Sequence, residues 1–359
     1  MTAAAPHAIP AVCPELGIEV PVERIDQELR KLWEQDEART NASLMNLVVY
    51  SEKPGALLEN SAIVRNLTRE HACRAILVEI DRAEPLPGLR AWITAHCHLA
   101  HGRKSVCCEQ IAFYLTGKVT GRFRNTVFAH LNSDLPLVFW WQGALSDILT
   151  ERLVSVMDRL IIDSACWADP AASFRRIEQA AQANADLILQ DHEWTRTWQV
   201  RVGVAGIFDD PAAQQALPDI DSVEITHHPA HRNSALQLLA WLAVQAGWKD
   251  LESAEFAFES PAGKAIQVTL KQDAGAPAIS SLVLRAGPKS AHITQAAGAT
   301  HVERRIEAPG YQVSSLAPVD PSSPEELVGL QLARGGKNSL FQKILPRFRK
   351  LLEKHSAPT

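Results

Sequence analysis

Three groups of side chains in this 359-residue chain are of types that could do chemistry. His96 and His98 fall on one face of an apolar strand, because side chains two apart point the same way. His101 follows in a turn, and Cys107 and Cys108 lie on the returning segment. Imidazole and thiolate both suit zinc, yet hairpin turns also carry solvent-facing histidines, and the reading adopted is that no metal binds. His227, His228 and His231 sit between a strand and a helix, where polar residues commonly serve as turn and cap chemistry. Asp163 and Ser164 close the run Leu160-Ile161-Ile162 after Asp158-Arg159. That is the carboxyl end of a strand, where α/β sheets place ligand-contacting groups. The alternative is an Asp158–Arg159 ion pair, with Asp163 or Ser164 capping the next turn.

No complete catalytic set accompanies these groups. The chain lacks a G-x-S-x-G nucleophile elbow. Its Gly-Lys pairs (Gly117-Lys118, Gly263-Lys264, Gly336-Lys337) lack the flanking residues of a phosphate-cradling loop. Gly203-Val-Ala-Gly206 is an incomplete dinucleotide pattern that follows no strand. The expectation is a non-enzyme with no catalytic residue and no cofactor. Six cysteines (Cys13, Cys73, Cys97, Cys107, Cys108, Cys166) contain no CxxC pair and read as reduced thiols, mostly buried as small apolar residues. Cys107 and Cys108 are adjacent, so on a strand their sulfurs face opposite ways and a vicinal bridge would distort the backbone. A thiol switch at this pair is the functional alternative, with Arg103 and Lys104 the nearby groups that would favour a thiolate.

Large aromatics suggest contacts. Leu137-Val138-Phe139-Trp140-Trp141-Gln142 reads as a buried strand running into two tryptophans, which must point to opposite faces. One ring can fill a core; the other needs a second layer, a ligand or a partner. Trp141 is favoured as the outward ring. Trp194, Arg196 and Trp198 lie on a stretch read as one helix, Trp194 to Phe208, where residues four apart share a face. Trp241 and Trp248 on the next helical segment could meet them. Trp and Arg are also frequent interface anchors. The candidate partner-binding residues are therefore Trp140, Trp141, Gln142, Trp194, Arg196 and Trp198. Near the end, Leu340 to Leu352 forms a helical apolar stripe among basic residues, with Pro346 expected to kink or split it.

The elements that must position these groups follow from the pattern. Residues 1–20 read as a mobile leader, 21–190 as an N-terminal α/β domain, 191–335 as a C-terminal α+β domain, and 336–359 as a basic amphipathic tail. In the first domain, strand Leu44 to Tyr50, a helix after Pro54-Gly55, and strand Cys73 to Ile80 make a β-α-β unit with parallel strands. Ala91 to Leu99 and Val106 to Leu115 pair as a hairpin. Helices are expected at Arg122 to Leu131, Ser146 to Met157 and Pro170 to about Leu189. The fold class is thus α/β, an N-terminal mixed sheet flanked by helices. The C-terminal domain should carry helix Arg232 to Ala246 and an antiparallel meander between Leu251 and Glu307.

Six of these stretches together resemble one known family. They are Thr40 to Tyr50 (TNASLMNLVVY), Cys73 to Asp81 (CRAILVEID), Ser105 to Gly117 (SVCCEQIAFYLTG), Asp134 to Gly143 (DLPLVFWWQG), Asp158 to Pro170 (DRLIIDSACWADP) and His192 to Asp209 (HEWTRTWQVRVGVAGIFD). In order and spacing they closely resemble the glucose-6-phosphate dehydrogenase assembly protein family, OpcA, from about Thr40 to Gly310. The resemblance implies a non-catalytic protein that binds glucose-6-phosphate dehydrogenase and promotes its active oligomer. Two rival functions stay open: a binder or enzyme for a sugar phosphate or nucleotide at the strand ends near Asp163, and a thiol-based redox regulator.

Composition sets outer bounds. With 46% hydrophobic and 21% charged residues the chain reads as folded and soluble. A net charge of −5 gives no basic footprint for nucleic acid. No apolar run approaches the ~18 residues a membrane span needs, and the N-terminus lacks the basic start and apolar core of a secretory signal. A cytoplasmic location is expected.

Overall fold

The computed structural model describes residues 13–34, 39–41, 43–100, 104–117, 120–251, 256–334 and 339–356. The chain forms two compact units. The first comprises Met1–Asp163, Arg176–Leu189 and Val328–Gly336, and the second Ser164–Arg175, Gln190–Leu327 and Lys337–Thr359. The fold class is mixed α/β, with a large mixed sheet and flanking helices in each unit.

The first sheet is built from β1 (Ile18–Val20), β2 (Arg39–Asn41), β3 (Asn46–Ser51), β4 (Arg74–Asp81), β5 (Gly88–Ala100), β6 (Lys104–Thr116), β7 (Leu137–Trp141), β8 (Arg159–Ile162) and β9 (Ile188–Asp191). Its helices are α1 (Ile25–Glu34), α2 (Ala56–Leu67), α3 (Thr120–Phe128), α4 (Glu151–Val154) and α5 (Pro170–Ala181). The spatial order is β1-β5-β6-β4-β3-β7-β8-β9, with β2 beside β6. Pairs β6–β4, β4–β3, β3–β7 and β7–β8 are parallel. Counting only β3, β4, β6, β7, β8 and β9 along the chain, the order is 3-2-1-4-5-6, that of a doubly wound dinucleotide-binding sheet. One step departs from that plan: β6 is reached through the antiparallel hairpin with β5.

Continuous apolar strands explain this architecture, because a sheet covered on both faces needs no polar alternation. All six residues of β3 and all five of β7 are buried. On one face Leu47, Val49, Leu77, Val138 and Trp140 pack with Leu57 and Val64 of α2. On the other, Tyr50 meets Phe123 of α3 and Trp141 at ring separations of 5.4 and 4.3 Å. Part of the segment read as a leader belongs to this unit: Cys13 and Leu16 are buried and β1 pairs with β5. Residues 1–12 lie outside the described residues.

The second unit contains α6 (His192–Thr195), α7 (Trp198–Phe208), α8 (Pro211–Ala216), β10 (Ser222–His227), α9 (Arg232–Gln245), β11 (Lys249–Asp250), β12 (Ala257–Glu259), β13 (Ala265–Gln272), β14 (Ile279–Ala286), β15 (Lys289–Thr294), β16 (His301–Ala308) and β17 (Tyr311–Pro318). Helices α10 (Pro324–Ala333) and α11 (Ser339–Ser356) complete the chain. The strand order is β11-β12-β13-β10-β14-β15-β16-β17. The meander is antiparallel except where β10 enters between β13 and β14, parallel to β13. Helix α9 is buried from Asn233 to Ala243, since it packs on β10 and on α11. Gly203 and Gly206 let α7 settle closely on the sheet: a Cβ at Gly206 would come within 2.9 Å of Arg304 Nη1. Their role is packing, which accounts for a glycine pair without a phosphate.

Several element boundaries differ from the sequence reading. The helix expected over Ser146 to Met157 is only the short α4, and α5 stops at Ala181 before β9 begins at Ile188. Trp194 to Phe208 is two helices, broken at Arg196-Thr197, because Asp320 accepts from Gln199 N (2.6 Å) and Val200 N (3.2 Å) and starts α7 afresh. Pro346 lies inside α11 and does not divide it. Phe341, Ile344, Phe348 and Leu351 are buried, so α11 closes the core of its unit.

Candidate functional site

In an open α/β sheet, ligands bind outside the carboxyl ends of the strands, where the strand order reverses. That point lies here between β3 and β7, beside the turn Glu52-Lys53-Pro54-Gly55 that leads into α2. A dinucleotide needs a glycine-rich turn at this place and free main-chain N–H groups at the helix start. The turn has one glycine, Gly55, at φ +81°. The N–H groups are taken: Glu79, buried on β4, accepts from Gly55 N with Oε1 (3.0 Å) and from Leu57 N with Oε2 (2.7 Å). A carboxylate is thus the anion at the α2 N-terminus, where charge and dipole match.

The space above the switch point is filled as well. Tyr50 and Trp141 are buried, and the Trp141 indole N–H donates to Ala144 O (3.0 Å). Tyr50 Oη bonds to Glu52 and lies 3.1 Å from Ser146 Oγ, and burial pushes its phenol well above the ordinary range. Arg82 holds Glu52 (2.8 Å) and Asp147 (2.6 Å). Asn60 and Gln142 exchange side-chain hydrogen bonds at 2.9 and 2.8 Å. These residues do not fit a dinucleotide.

The second unit holds a buried polar network. Asp191, capping α6, accepts from Ser164 N (3.1 Å), Ser164 Oγ (2.6 Å), Glu193 N (3.1 Å) and Gln237 Nε2 (2.7 Å). Asn233 Nδ2 donates to Ser164 O (2.9 Å). Glu193, fully buried, accepts from Ser234 N (3.1 Å) and His231 Nδ1 (2.9 Å) and faces Arg196 Nε at 3.6 Å. Two buried carboxylates are tolerable only because each is so fully satisfied.

Comparison with known proteins places this chain. Residues 64–179 match the domain described as the glucose-6-phosphate dehydrogenase subunit N-terminal domain, and residues 188–345 the C-terminal domain of that subunit. The chain belongs to the OpcA family. Two OpcA proteins, whose names place them provisionally in the OxPP cycle, come from Synechocystis sp. and Nostoc punctiforme. The first is 25% identical over 312 residues, covering 80% of this chain, and the second 26% over 316 residues, covering 79%. The chain spans 65% and 66% of the length of these relatives. Among solved structures, a 3-ketoreductase from Actinomadura kijaniata superposes with TM-score 0.45 at 9% identity, covering 86% of this chain and 96% of that one. An aldose–aldose oxidoreductase from Caulobacter crescentus gives 0.45 at 10%, covering 87% and 98%. At that distance the likeness says nothing about chemistry. The family match extends to residue 345, past the Gly310 limit of the sequence resemblance.

Within the OpcA framework the sequence-selected residues are placed as follows. Trp140 and Trp141 do point to opposite faces, but helices cover both, leaving 2% and 1% of the residues exposed. The expectation of an outward Trp141 therefore gives way to a two-sided core. Trp194 is buried, stacked under the Arg201 guanidinium at 3.4 Å and 5.6 Å from the Phe341 ring. Trp198 begins the next helix and is half-buried, and Arg196 packs on Glu193. The three do not share one helical face. Ser164 is fully buried in the Asp191 network, and Asp163 is half-buried.

The cysteines depart most from expectation. Cys97 and Cys107, directly opposite on β5 and β6, form a disulfide. The reading of six reduced thiols, with Cys107 and Cys108 as the redox pair, is corrected: Cys107 pairs across the hairpin, and Cys108 is a buried thiol outside the disulfide that burial pushes up in pKa. Two spacings that sequence alone leaves independent become neighbours once register sets Cys97 against Cys107. His96 is buried against Gln110 (2.9 Å) and His98 meets Thr68 (2.9 Å), while His101 lies outside the described residues. Among the described residues no group of three or more His, Cys, Asp or Glu could hold a metal ion. Nor is any described helix long and apolar enough to cross a membrane.

Proposed function

We propose that this chain is a non-catalytic assembly subunit that binds glucose-6-phosphate dehydrogenase in the cytoplasm and favours its active oligomer. The observation that carries the reading is Glu79. A sheet with the strand order of a dinucleotide binder has its own carboxylate on the Gly55 and Leu57 amides, and Tyr50 and Trp141 fill the crevice beside it. That supports a scaffold role over hydride transfer. The partner comes from the description of the family's domains. An activator of this kind must bind the active state more tightly than the inactive one. Each tenfold preference is worth about 1.4 kcal/mol of bias. Sedimentation velocity of this chain mixed with the dehydrogenase of the same cell is the test. A larger co-sedimenting species is expected, and two independent boundaries at micromolar concentrations would contradict it.

A second reading is favoured by the Cys97–Cys107 disulfide. Bridges in cytosolic proteins are usually transient and regulatory. On this reading the β5–β6 hairpin senses oxidation, and reduction alters the response of the dehydrogenase. Unchanged activation with and without dithiothreitol would dismiss it.

A further inference from the structure

A cleft of about 440 Å³ opens in the second unit, in the size range of small-metabolite sites. Its polar wall is made by Arg196, His228, His231, Gln295, Asp320 and Ser322, and small residues, Ala299 among them, leave the space open. Three of the six are nitrogen donors of the kind that recognise anions. The imidazole rings of His228 and His231 lie 5.6 Å apart. His228 Nδ1 accepts from Ala230 N (3.1 Å), so the ring proton sits on Nε2 in the neutral form. His231 Nδ1 is bonded to the buried Glu193 carboxylate (2.9 Å), which also faces Arg196 Nε. Glu193 is fully buried, so it steadies both basic groups from behind without confronting a ligand.

Asp320 is the acidic group of the wall, and its carboxyl is engaged by the Gln199 and Val200 amides. Burial pushes its pKa up to about 7, which reduces its negative charge at neutral pH. The basic groups that line the cleft are a guanidinium and two imidazoles. Arg196 and His228 Nε2 donate directly, and His231, whose Nδ1 proton goes to Glu193, donates from Nε2 only as the imidazolium. Donors from three such side chains suit a tetrahedral phosphate better than a planar carboxylate. Gln295 and Ser322 add uncharged hydrogen-bonding groups for a hydroxylated remainder.

We propose that this cleft binds a small phosphate-bearing metabolite, with Arg196, His228 and His231 holding the phosphate. The site stands on its own geometry and does not depend on the dehydrogenase. Isothermal calorimetry of the full chain tests it with inorganic phosphate, glucose 6-phosphate and glucose as probes. Both phosphate compounds should bind and glucose should not. Arg196 packs on a buried carboxylate and its loss endangers the fold, so the variants are His228→Ala and Ala299→Trp, with melting temperature as the check on folding. The first removes a donor and the second fills the space, and each should weaken binding about tenfold or more. No heat with either phosphate compound at millimolar concentration would overturn the proposal. So would glucose binding as tightly as its 6-phosphate, or phosphate affinity unchanged in both folded variants.

Discussion

Glu79 is the residue on which most depends. It satisfies two helix-start donors that would otherwise be buried without a partner, and such donors cost about 1–3 kcal/mol each when orphaned. Glu79→Ala should therefore lower unfolding free energy by about 2 kcal/mol or more. Glu79→Gln, which keeps one carbonyl acceptor and loses the favourable charge–dipole term, should cost about 1 kcal/mol. Urea denaturation of both variants measures this, and stability equal to the parent would remove Glu79 from its assigned place. The two tryptophans make a second residue-scale case. Both are buried, on opposite faces of β7. Trp140→Ala and Trp141→Ala should each cost ~3–5 kcal/mol in the isolated chain. A variant that kept its melting temperature would show that its ring serves something other than the core. Sequence gave the opposite directions of these rings through strand pleating, but not the layers covering them, which come from helices distant in the chain.

At the scale of elements, the β5–β6 hairpin and the start of α7 carry the sharpest expectations. Non-reducing peptide mapping should recover a Cys97–Cys107 cross-link and four alkylatable cysteines, Cys13, Cys73, Cys108 and Cys166. Six alkylatable thiols in freshly purified oxidised protein would contradict the register. The α7 cap predicts a pH effect. Asp320 has its folded pKa raised by burial to about 7 from 3.8. The folded state therefore binds the extra proton between those values, and the stabilisation is complete below 3.8 and lost as pH rises to about 7. Buried histidines such as His96 and His227, with lowered pKa values, push the other way as pH falls through the ordinary imidazole range. Comparison with Asp320→Asn, neutral throughout, isolates the carboxyl. The parent should gain melting temperature relative to this variant as pH falls from 7.5 to 5, and a constant difference would refute the raised pKa. The hairpin was legible from its alternating residues and turn. The break at Arg196-Thr197 was not, because the carboxyl that causes it sits more than a hundred positions later.

Across the whole molecule, local patterns foretold the β-α-β start, the hairpin, helix α9 and the antiparallel character of the second sheet. Long-range pairings escaped them: β10 entering parallel to β13, Glu79 reaching the α2 amides, Cys97 facing Cys107. Each depends on register between distant segments, which periodicity does not encode. The central claim is that this sheet has exchanged cofactor binding for a structural role in partnership with glucose-6-phosphate dehydrogenase. Its most direct test is the initial rate of NADPH formation from glucose 6-phosphate, titrated with this chain. The chain alone should give no NADPH, and with the dehydrogenase it should raise the rate or lower the substrate requirement to a saturable limit. NADPH formation by the chain alone, or dehydrogenase kinetics unchanged at saturating amounts of it, would contradict the account.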